Sequence, residues 1–451
     1  MKDKKALVVG MGRSGKAAVA ALVNMGAVVS VQDSKTEDTL DREFLQFLQE
    51  KGIDRYLGRV PEDMSTFDTI VLSPGVPPAL EFIQKVKAAG AEIIGELELA
   101  YRLCKGRFVA ITGTNGKTTT TTLVGEIYKA AGVDTCVGGN IGRAIAVDAM
   151  EATEDTCMVT ETSSFQLETI TSFRPEVSAI LNLTPDHMDR HKTMEEYGRC
   201  KALVFKNQTE DQYCVLNYDD KECFGLAERE GCKAKVVPFS RLEELDFGAF
   251  AKNGNIVIKN EKGEEIVICG VDELQIPGSH NLENALAAAA ITYFGGVDPK
   301  VIGEAMKAFG GVAHRIELCC EKEGVRFVND SKGTNTDAAI KAIEAMKENI
   351  ILIAGGYDKG SEYDEFIDAF DGKVKALVLL GVTAPKIKAA AEAKGFTNIF
   401  MAKDMEECVA KAWDISQAGD VVLLSPACAS WDMYDNFEQR GDHFKECAQK
   451  L

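Results

Sequence analysis

Phe108-Val109-Ala110-Ile111 runs directly into Thr112-Gly113-Thr114-Asn115-Gly116-Lys117-Thr118-Thr119, and no other stretch restricts the fold so far. The short apolar run reads as a buried strand. The glycines open a loop, and residues 120–131 can continue as a helix. In such a strand–loop–helix unit the backbone N–H groups of Gly113 to Thr118 curl around a polyphosphate, at a helix N-terminus whose dipole favours anions. Glycine lets the backbone approach without a Cβ clash. Lys117 brings a point charge to the outer phosphates, and the Thr118 hydroxyl suits Mg²⁺. The loop is shorter than G-x-x-x-x-G-K-[ST], whose first glycine would fall at Ile111. A glycine turn with a surface lysine is the plainer alternative. It does not account for the run of threonines after Lys117 in a segment that must still be helical.

Residues 4–9 read as another strand, followed by Gly10-Met11-Gly12-Arg13-Ser14-Gly15, a helix to Met25, and a strand over 27–32 that ends at Asp33. A G-x-G-x-x-G turn with an acid at the end of the next strand is a dinucleotide fingerprint. It fits a redox cofactor, a tight turn without a ligand, or the diphosphate and ribose of another nucleotide-linked substrate. The phosphate loop downstream favours the last. A strand over 68–72 ends in Ser73-Pro74-Gly75-Val76-Pro77-Pro78, a stiff loop at the strand end where open α/β sheets bind ligands. Residues 96–101 then read as a link, so the first domain is expected to span 1–98.

The next segment, 99–311, holds Gly138-Gly139-Asn140-Ile141-Gly142, a turn able to present an asparagine. A strand over 156–160 ends at Glu161. An acid there, on the sheet of a phosphate loop, is placed for Mg²⁺; capping the next helix is its other use. His187 and His191 are four apart, but Pro185 marks a loop and no H-E-x-x-H helix is present. His187 is read as a single Mg²⁺ or substrate contact and His191 as a bystander. Lys201 lies on a helix that starts near Met194, where a solvated lysine would be ordinary. Asn281 and Asn284 sit at i and i+3 in the first turn of an alanine-rich helix, so they can face one ligand.

Gly310-Gly311 breaks the helix over 301–309, and the last domain is expected to be 312–451. Its polar clusters follow strands over 325–328, 349–354 and 421–424, forming one crevice edge. Strands alternating with helices make the fold class α/β.

Charge narrows the partners. With 51 Lys and Arg against 70 Asp and Glu, the net charge is −19. This argues against nucleic acid or an anionic membrane as a general partner. Anionic small substrates stay open if basic groups are gathered in the sites. Residues 6–10 are too short for a secretory h-region, and no apolar run nears membrane-spanning length, so a cytoplasmic protein is expected. Thirteen scattered cysteines without C-x-x-C spacing read as reduced thiols rather than a disulfide framework or zinc site. A hydride-transfer enzyme needs no phosphate loop, and a nucleotide switch needs no preceding G-x-G domain. An ATP-dependent ligase uses all three segments: ATP phosphorylates a carboxylate, and an amine held by the third attacks the acyl phosphate.

The chain resembles the Mur ligase family of peptidoglycan synthesis over essentially its whole length. The shared marks are Gly113 to Thr119, Gly139-Asn140-Ile141-Gly142, Glu161-Thr162-Ser163-Ser164-Phe165-Gln166, Asp186-His187, His280-Asn281 with Asn284, His314-Arg315 and Asn329-Asp330-Ser331-Lys332. It is most similar to the branch that adds D-glutamate, through the compact first domain with Ser73-Pro74-Gly75 and the segment Ser425-Pro426-Ala427-Cys428-Ala429-Ser430-Trp431-Asp432 that leads to Asn436-Phe437. The Asp-Asn-Pro-Arg motif of the branch that adds a diamino acid is absent. Gly333 stands where Ala is usual, and Trp431 where a smaller apolar residue is common.

The resemblance implies a three-domain α/β fold: a Rossmann-like N-terminal domain, a central P-loop ATPase-like domain and a Rossmann-like C-terminal domain. It implies that Gly12, Arg13, Ser14, Asp33, Ser34, Ser73 and Gly75 hold the UDP end of UDP-N-acetylmuramoyl-L-alanine, and that Asn140 and His187 contact the muramoyl part or its metal. ATP would be held by Gly113, Thr114, Asn115, Gly116, Lys117, Thr118, Thr119 and Thr120, with Asn284, Arg315 and Asp330. Thr118, Glu161, His187 and Lys201 would arrange Mg²⁺, expected as two ions, with Lys201 as a carbamate. Lys117, Glu161, His187 and Lys201 would be the catalytic set. Lys332, Thr334, Lys359, Ser430 and Phe437 would receive D-glutamate, a dianion that needs the cations and hydroxyls this segment supplies. A monomer is expected. The alternative is a sibling or folate-type ligase that adds a different amino acid.

Overall fold

The computed structural model describes residues 2–276, 278–347, 349–358 and 360–451. β1 (Lys5–Val9), β2 (Val28–Asp33), β3 (Asp54–Leu57), β4 (Thr69–Leu72) and β5 (Glu92–Gly95) form a parallel sheet in the order β3-β2-β1-β4-β5. Strand order reverses beside β1, so the turns after β1 and β4 meet at one crevice on the carboxyl edge.

The second sheet contains β6 (Arg107–Thr112), β7 (Thr135–Gly139), β8 (Cys157–Glu161), β9 (Val177–Ile180), β10 (Tyr213–Asn217), β11 (Lys235–Ser240), β12 (Gly248–Lys252), β13 (Asn255–Lys259) and β14 (Glu265–Gly270). Their order is β14-β13-β12-β11-β10-β9-β6-β8-β7, with β12, β13 and β14 joined antiparallel. The third contains β15 (Glu317–Lys322), β16 (Val325–Asn329), β17 (Ile350–Ala354), β18 (Val374–Leu379), β19 (Ile399–Met401) and β20 (Val421–Leu424), in the order β15-β16-β20-β17-β18-β19. It is parallel apart from the β15–β16 hairpin. β3, β15 and β19 are edge strands, and none of them, nor β12, carries a long apolar run. Pairing with a neighbour makes them strands, which is why the local pattern does not announce them.

The chain forms two compact units. One holds the chain up to Leu274 together with Glu283–Ala308; the other holds Gln275–Leu282 with Phe309–Leu451. In the first unit one apolar core runs through both sheets, joining Ala18 and Leu22, Leu97 and Ala100, Phe108 and Ile145. The expected link over 96–101 is instead part of a helix, Glu96–Leu103, with Leu97 and Ala100 buried in that core. Its Glu98 carboxylate accepts from the backbone N–H of Thr171, Ser172 and Phe173. Burial alone would raise this carboxyl, but the bonds from Ser172, Thr171 and Arg102 outweigh it and hold the pKa down at about 2.

Candidate active site

The turn after β1 is held by side chains from its neighbours. Asp33 Oδ2 accepts from Met11 N at 2.6 Å and Oδ1 from Lys35 N at 2.9 Å. Ser73 Oγ donates to the Gly10 carbonyl at 2.8 Å. Gly15 must be glycine, because a Cβ there would lie 1.8 Å from the Gly10 oxygen. The helix Arg13–Asn24 starts at Gly12 without a side-chain cap, which leaves its first-turn N–H groups to a ligand. Here a cavity of about 530 Å³ opens, and Gly12, Arg13, Ser14, Asp33, Ser34, Ser73, Gly75 and Asn140 all line it, with Gln166. His187 is not part of that lining.

The loop after β6 is built on the same plan with other holders. Asn182, just past β9, accepts from Asn115 N through Oδ1 at 2.8 Å and donates to the Asn115 carbonyl at 3.1 Å. Nothing in the sequence singled it out beyond its place after a strand. Gly116 has φ +80° and precedes the helix Lys117–Ala130 without a side-chain cap. A Cβ on Gly116 would come 2.1 Å from Asn284 Oδ1, which also accepts from Thr120 Oγ1 at 3.3 Å. Asn284 therefore belongs to the loop, and Thr120 faces it from within the helix. Thr119 is buried beside them.

Two lysines converge on one carbonyl. Lys117 Nζ donates to Gly113 O at 3.0 Å and Thr114 O at 2.7 Å; Lys201 Nζ donates to the same Gly113 O at 2.7 Å. Lys201 is only 2 % exposed, which overturns the solvated-lysine reading. Its ammonium lies 4.4 Å from the Tyr197 ring. Burial, reinforced by the charge of Lys117, pushes its pKa well below the usual lysine value. Tyr197, which the sequence reading passed over, also places its hydroxyl 3.3 Å from Thr114 Oγ1.

Glu161 is 2 % exposed, and both its oxygens accept from uncharged groups: Oε2 from Thr118 Oγ1 at 2.8 Å, Oε1 from Asn140 Nδ2 at 2.9 Å. The capping alternative fails, since Ser163 and Gln166 form the capping box of the next helix, Ser164–Leu167. A buried carboxylate calls for a cation, and a hard divalent ion beside the Thr118 hydroxyl fits this oxygen set. His187 has φ +54° and stands exposed, its Nε2 3.6 Å from Asp186 and its ring 4.9 Å from Phe165. His191, read as a bystander to the metal, has a packing role. It is buried, its Nε2 is 2.9 Å from Ser164 Oγ and its ring stacks on Phe165.

In the second unit the polar clusters meet at the ends of β16 and β20. Asp330 is buried and accepts from Ser425 Oγ at 2.7 Å. Burial raises its pKa to about 6, against the pull of Arg315 and of that hydrogen bond. A Cβ on Gly333 would lie 2.5 Å from Asp330 Oδ2, so the alanine usual at this position would require the carboxylate to shift. Lys332 Nζ sits 5.4 Å from the centre of the Phe437 ring, and Thr334 N donates to the Lys332 carbonyl. Ser430 is buried. Lys359 lies outside the described residues. The organiser to which the sequence reading gave no role is Arg440, 1 % exposed, which donates to Ser331 Oγ and to the carbonyls of Ser331, Cys428 and Ala429. It ties the Lys332 segment to the Ser430 segment. Burial lowers its pKa to about 10.

Known proteins match this arrangement from end to end. The Mur ligase MurD-like N-terminal domain family matches residues 4–95, the Mur ligase middle domain residues 111–292, and the Mur ligase glutamate ligase domain residues 314–428. A UDP-N-acetylmuramoylalanine--D-glutamate ligase from Alkaliphilus oremlandii is 52% identical, over 100% of this chain and 99% of that protein. Its namesake from Clostridioides difficile is 49% identical with the same coverage. Among solved structures, UDP-N-acetylmuramate-alanine ligase MurC from Thermotoga maritima superposes with a TM-score of 0.61 at 20% identity, and a pseudomurein peptide ligase type C from Methanothermus fervidus with 0.60 at 20%, each over 99% of both chains. These two share the three-domain α/β fold. With about half its residues identical to such relatives along its full length, the chain belongs to the Mur ligase family.

Proposed function

We propose that this protein is the ATP-dependent ligase that joins D-glutamate to UDP-N-acetylmuramoyl-L-alanine in peptidoglycan precursor synthesis. The observation that carries the reading is a relay of three side chains. Asn140 lines the first cavity and donates to Glu161, and Glu161 accepts from Thr118 of the phosphate loop. A nucleotide-linked substrate in the cavity and ATP on the loop would therefore share one wall.

In this reading residues 1–98 hold the UDP substrate, 99–311 hold ATP and 312–451 hold the amino acid. The alanyl carboxylate takes the γ-phosphoryl group, releasing ADP. The D-glutamate amine then attacks the acyl carbon, phosphate leaves, and the amine proton is lost to solvent or a base. The loop N–H groups and Lys117 orient the phosphates and offset the charge that builds on them. Mg²⁺, when bound, offsets more of that charge. Thr118 and Glu161 would hold it with His187 and a carbamate on Lys201. Carbamylation needs an uncharged amine, and the burial that lowers the Lys201 pKa favours one. Carbamylation would also turn a group that repels Mg²⁺ into an oxygen ligand. Lys332, Thr334, Lys359, Ser430 and Phe437 would receive D-glutamate. Among the described residues no helix is long and apolar enough to cross a membrane; the reading takes the protein as a cytoplasmic monomer.

Phosphate release from ATP, measured with UDP-muramoyl-L-alanine and a panel of amino acids, tests the reading. Release should require D-glutamate, and equal turnover with another amino acid would favour a sibling ligase. The carbamate has its own test. Activity in CO₂-stripped buffer should rise with bicarbonate, and Lys201→Arg should be severely impaired. A fully active Lys201→Arg enzyme indifferent to bicarbonate would exclude it.

A further inference from the structure

We propose that Glu406, His443 and Cys447 form a binding site for a borderline divalent cation, with Zn²⁺ the fitting ion. Two neighbouring helices supply the ligands. Met405–Asp414 carries Glu406 in its first turn, and Phe437–Lys450 carries His443 and Cys447. Residues four apart on a helix stand one above the other on one face. One donor atom from each of the three residues lies within 4.8 Å of the other two. His443 Nε2 is already 2.9 Å from Glu406 Oε1, so small side-chain rotations let an ion sit between them. A carboxylate, an imidazole and a thiolate are donors that Zn²⁺ accepts in three-ligand sites, with water in the fourth position.

The surroundings support this donor set. The other ring nitrogen of His443, Nδ1, is 2.9 Å from the Tyr434 hydroxyl. With Nε2 on a metal, Nδ1 carries the proton and donates it to the tyrosine oxygen, which fixes the ring orientation. Burial, joined by the charges of Glu406, Glu446 and Asp404 and opposed by Lys450, pushes the Cys447 thiol up, so it is the cation that would draw the proton off. Glu406 and His443 side chains are 63% and 30% exposed, so a hydrated ion can reach them. Cys447 is 7% exposed beneath. Binding forms a metal–sulfur bond and releases the Sγ proton to solvent.

A second cluster shows why charge decides. Glu168, His191 and Cys200 offer the same donor types at the same spacing. There Arg190 Nη2 sits 2.6 Å from Glu168 Oε2, and Ser164 occupies His191 Nε2. A guanidinium already neutralises that carboxylate and would repel a second cation. The C-terminal cluster has no such competitor on Glu406 among its described ion pairs. Its site would also reach the segment that carries Ser430, because Tyr434 N donates to the Ser430 carbonyl at 2.8 Å.

Chelator-stripped full-length protein, with excess Mg²⁺ to fill hard-ligand sites, is titrated with Co²⁺ and then with Zn²⁺. We expect stoichiometric binding with a thiolate-to-cobalt charge-transfer absorption that Zn²⁺ abolishes by displacement. Cys447→Ser should lose the absorption, while Cys200→Ser keeps it. Tyr434→Phe should weaken binding by roughly 10-fold. Glu406→Gln, at an exposed position, serves if Cys447→Ser does not fold, and should weaken binding by more than Tyr434→Phe. Absence of the absorption, its survival in folded Cys447→Ser, its loss in Cys200→Ser, or unchanged affinity in Glu406→Gln would each overturn the proposal.

Discussion

The turns after β1 and β6 use one backbone device and hold it in opposite ways. Each leaves a strand through glycine and enters a helix whose first N–H groups have no side-chain cap. The first turn is held by an acid: Asp33 takes two backbone N–H groups, and half of the other residues in the pocket wall are Gly, Ser or Pro, with Arg13 beside them. The second is held by the neutral Asn182, and two lysines converge on its Gly113 carbonyl. An acid already bonded to the turn repels a densely charged triphosphate but tolerates a ribosyl diphosphate. The Lys117 ammonium on the second loop does the reverse. Backbone geometry makes an anion site; the charge that holds it selects which anion.

The largest effect should come from removing that ammonium. Lys117→Ala should lower turnover by roughly 10²–10³, the scale of one lost electrostatic stabiliser, with UDP-substrate affinity retained. Phosphate-release kinetics beside a binding isotherm would show both. Near wild-type turnover would break the contrast between the turns.

The next effect concerns what keeps the two turns in one packed unit. Glu98 anchors the helix Glu96–Leu103 to the segment before β9. Its pKa falls from 4.5 to about 2 on folding. A depressed carboxyl stabilises the fold above the unfolded value and loses that contribution as pH falls from about 4.5 towards 2. The full contribution is about 3 kcal/mol. Denaturation at stepped pH should show this loss in the wild type, and Glu98→Gln should lack most of it. A parallel pH dependence in the two proteins would deny Glu98 this role.

Gly15→Ala sharpens the comparison from the other side. The added Cβ collides with the Gly10 carbonyl, and overpacking of this kind costs roughly 1–3 kcal/mol. UDP-substrate affinity should fall by about 10-fold or more while ATP affinity holds, as read by titration calorimetry; equal losses for both ligands would show that the turns do not act separately. Asp33→Asn should have the smallest effect. The amide oxygen can still accept from Met11 N, but the NH2 cannot accept from Lys35 N and the charge is lost, so UDP-substrate affinity should drop by a few-fold, roughly 1 kcal/mol. A gain in affinity would mean that the acid opposes its ligand.

Much of this was legible in the sequence because its signals are local. Glycine spacing and apolar runs placed both turns, the order of the main strands and the polar strand ends. Eight of the residues that line the cavity at these ends were named through the resemblance their motifs carry. What local pattern could not reach was burial. Lys201 reads as a surface helix lysine, Glu161 could have been a cap, and residues 96–101 read as a link. Each was decided by groups far along the chain. Lys201 meets Gly113, 88 residues away; Arg440 meets Ser331, 109 residues away; Glu98 meets Ser172, 74 residues away.

The sequence by itself therefore determined where glycine turns lead strands into uncapped helices and that the chain folds as alternating α/β layers, since both follow from backbone freedom and periodicity within a few residues. Only the tertiary structure decided the electrostatic state of the site. Packing removes water from Lys201, which pushes its pKa down, and encloses the Glu161 carboxyl between the Thr118 hydroxyl and the Asn140 amide. That removal depends on surfaces brought together by the fold rather than on neighbours in the chain.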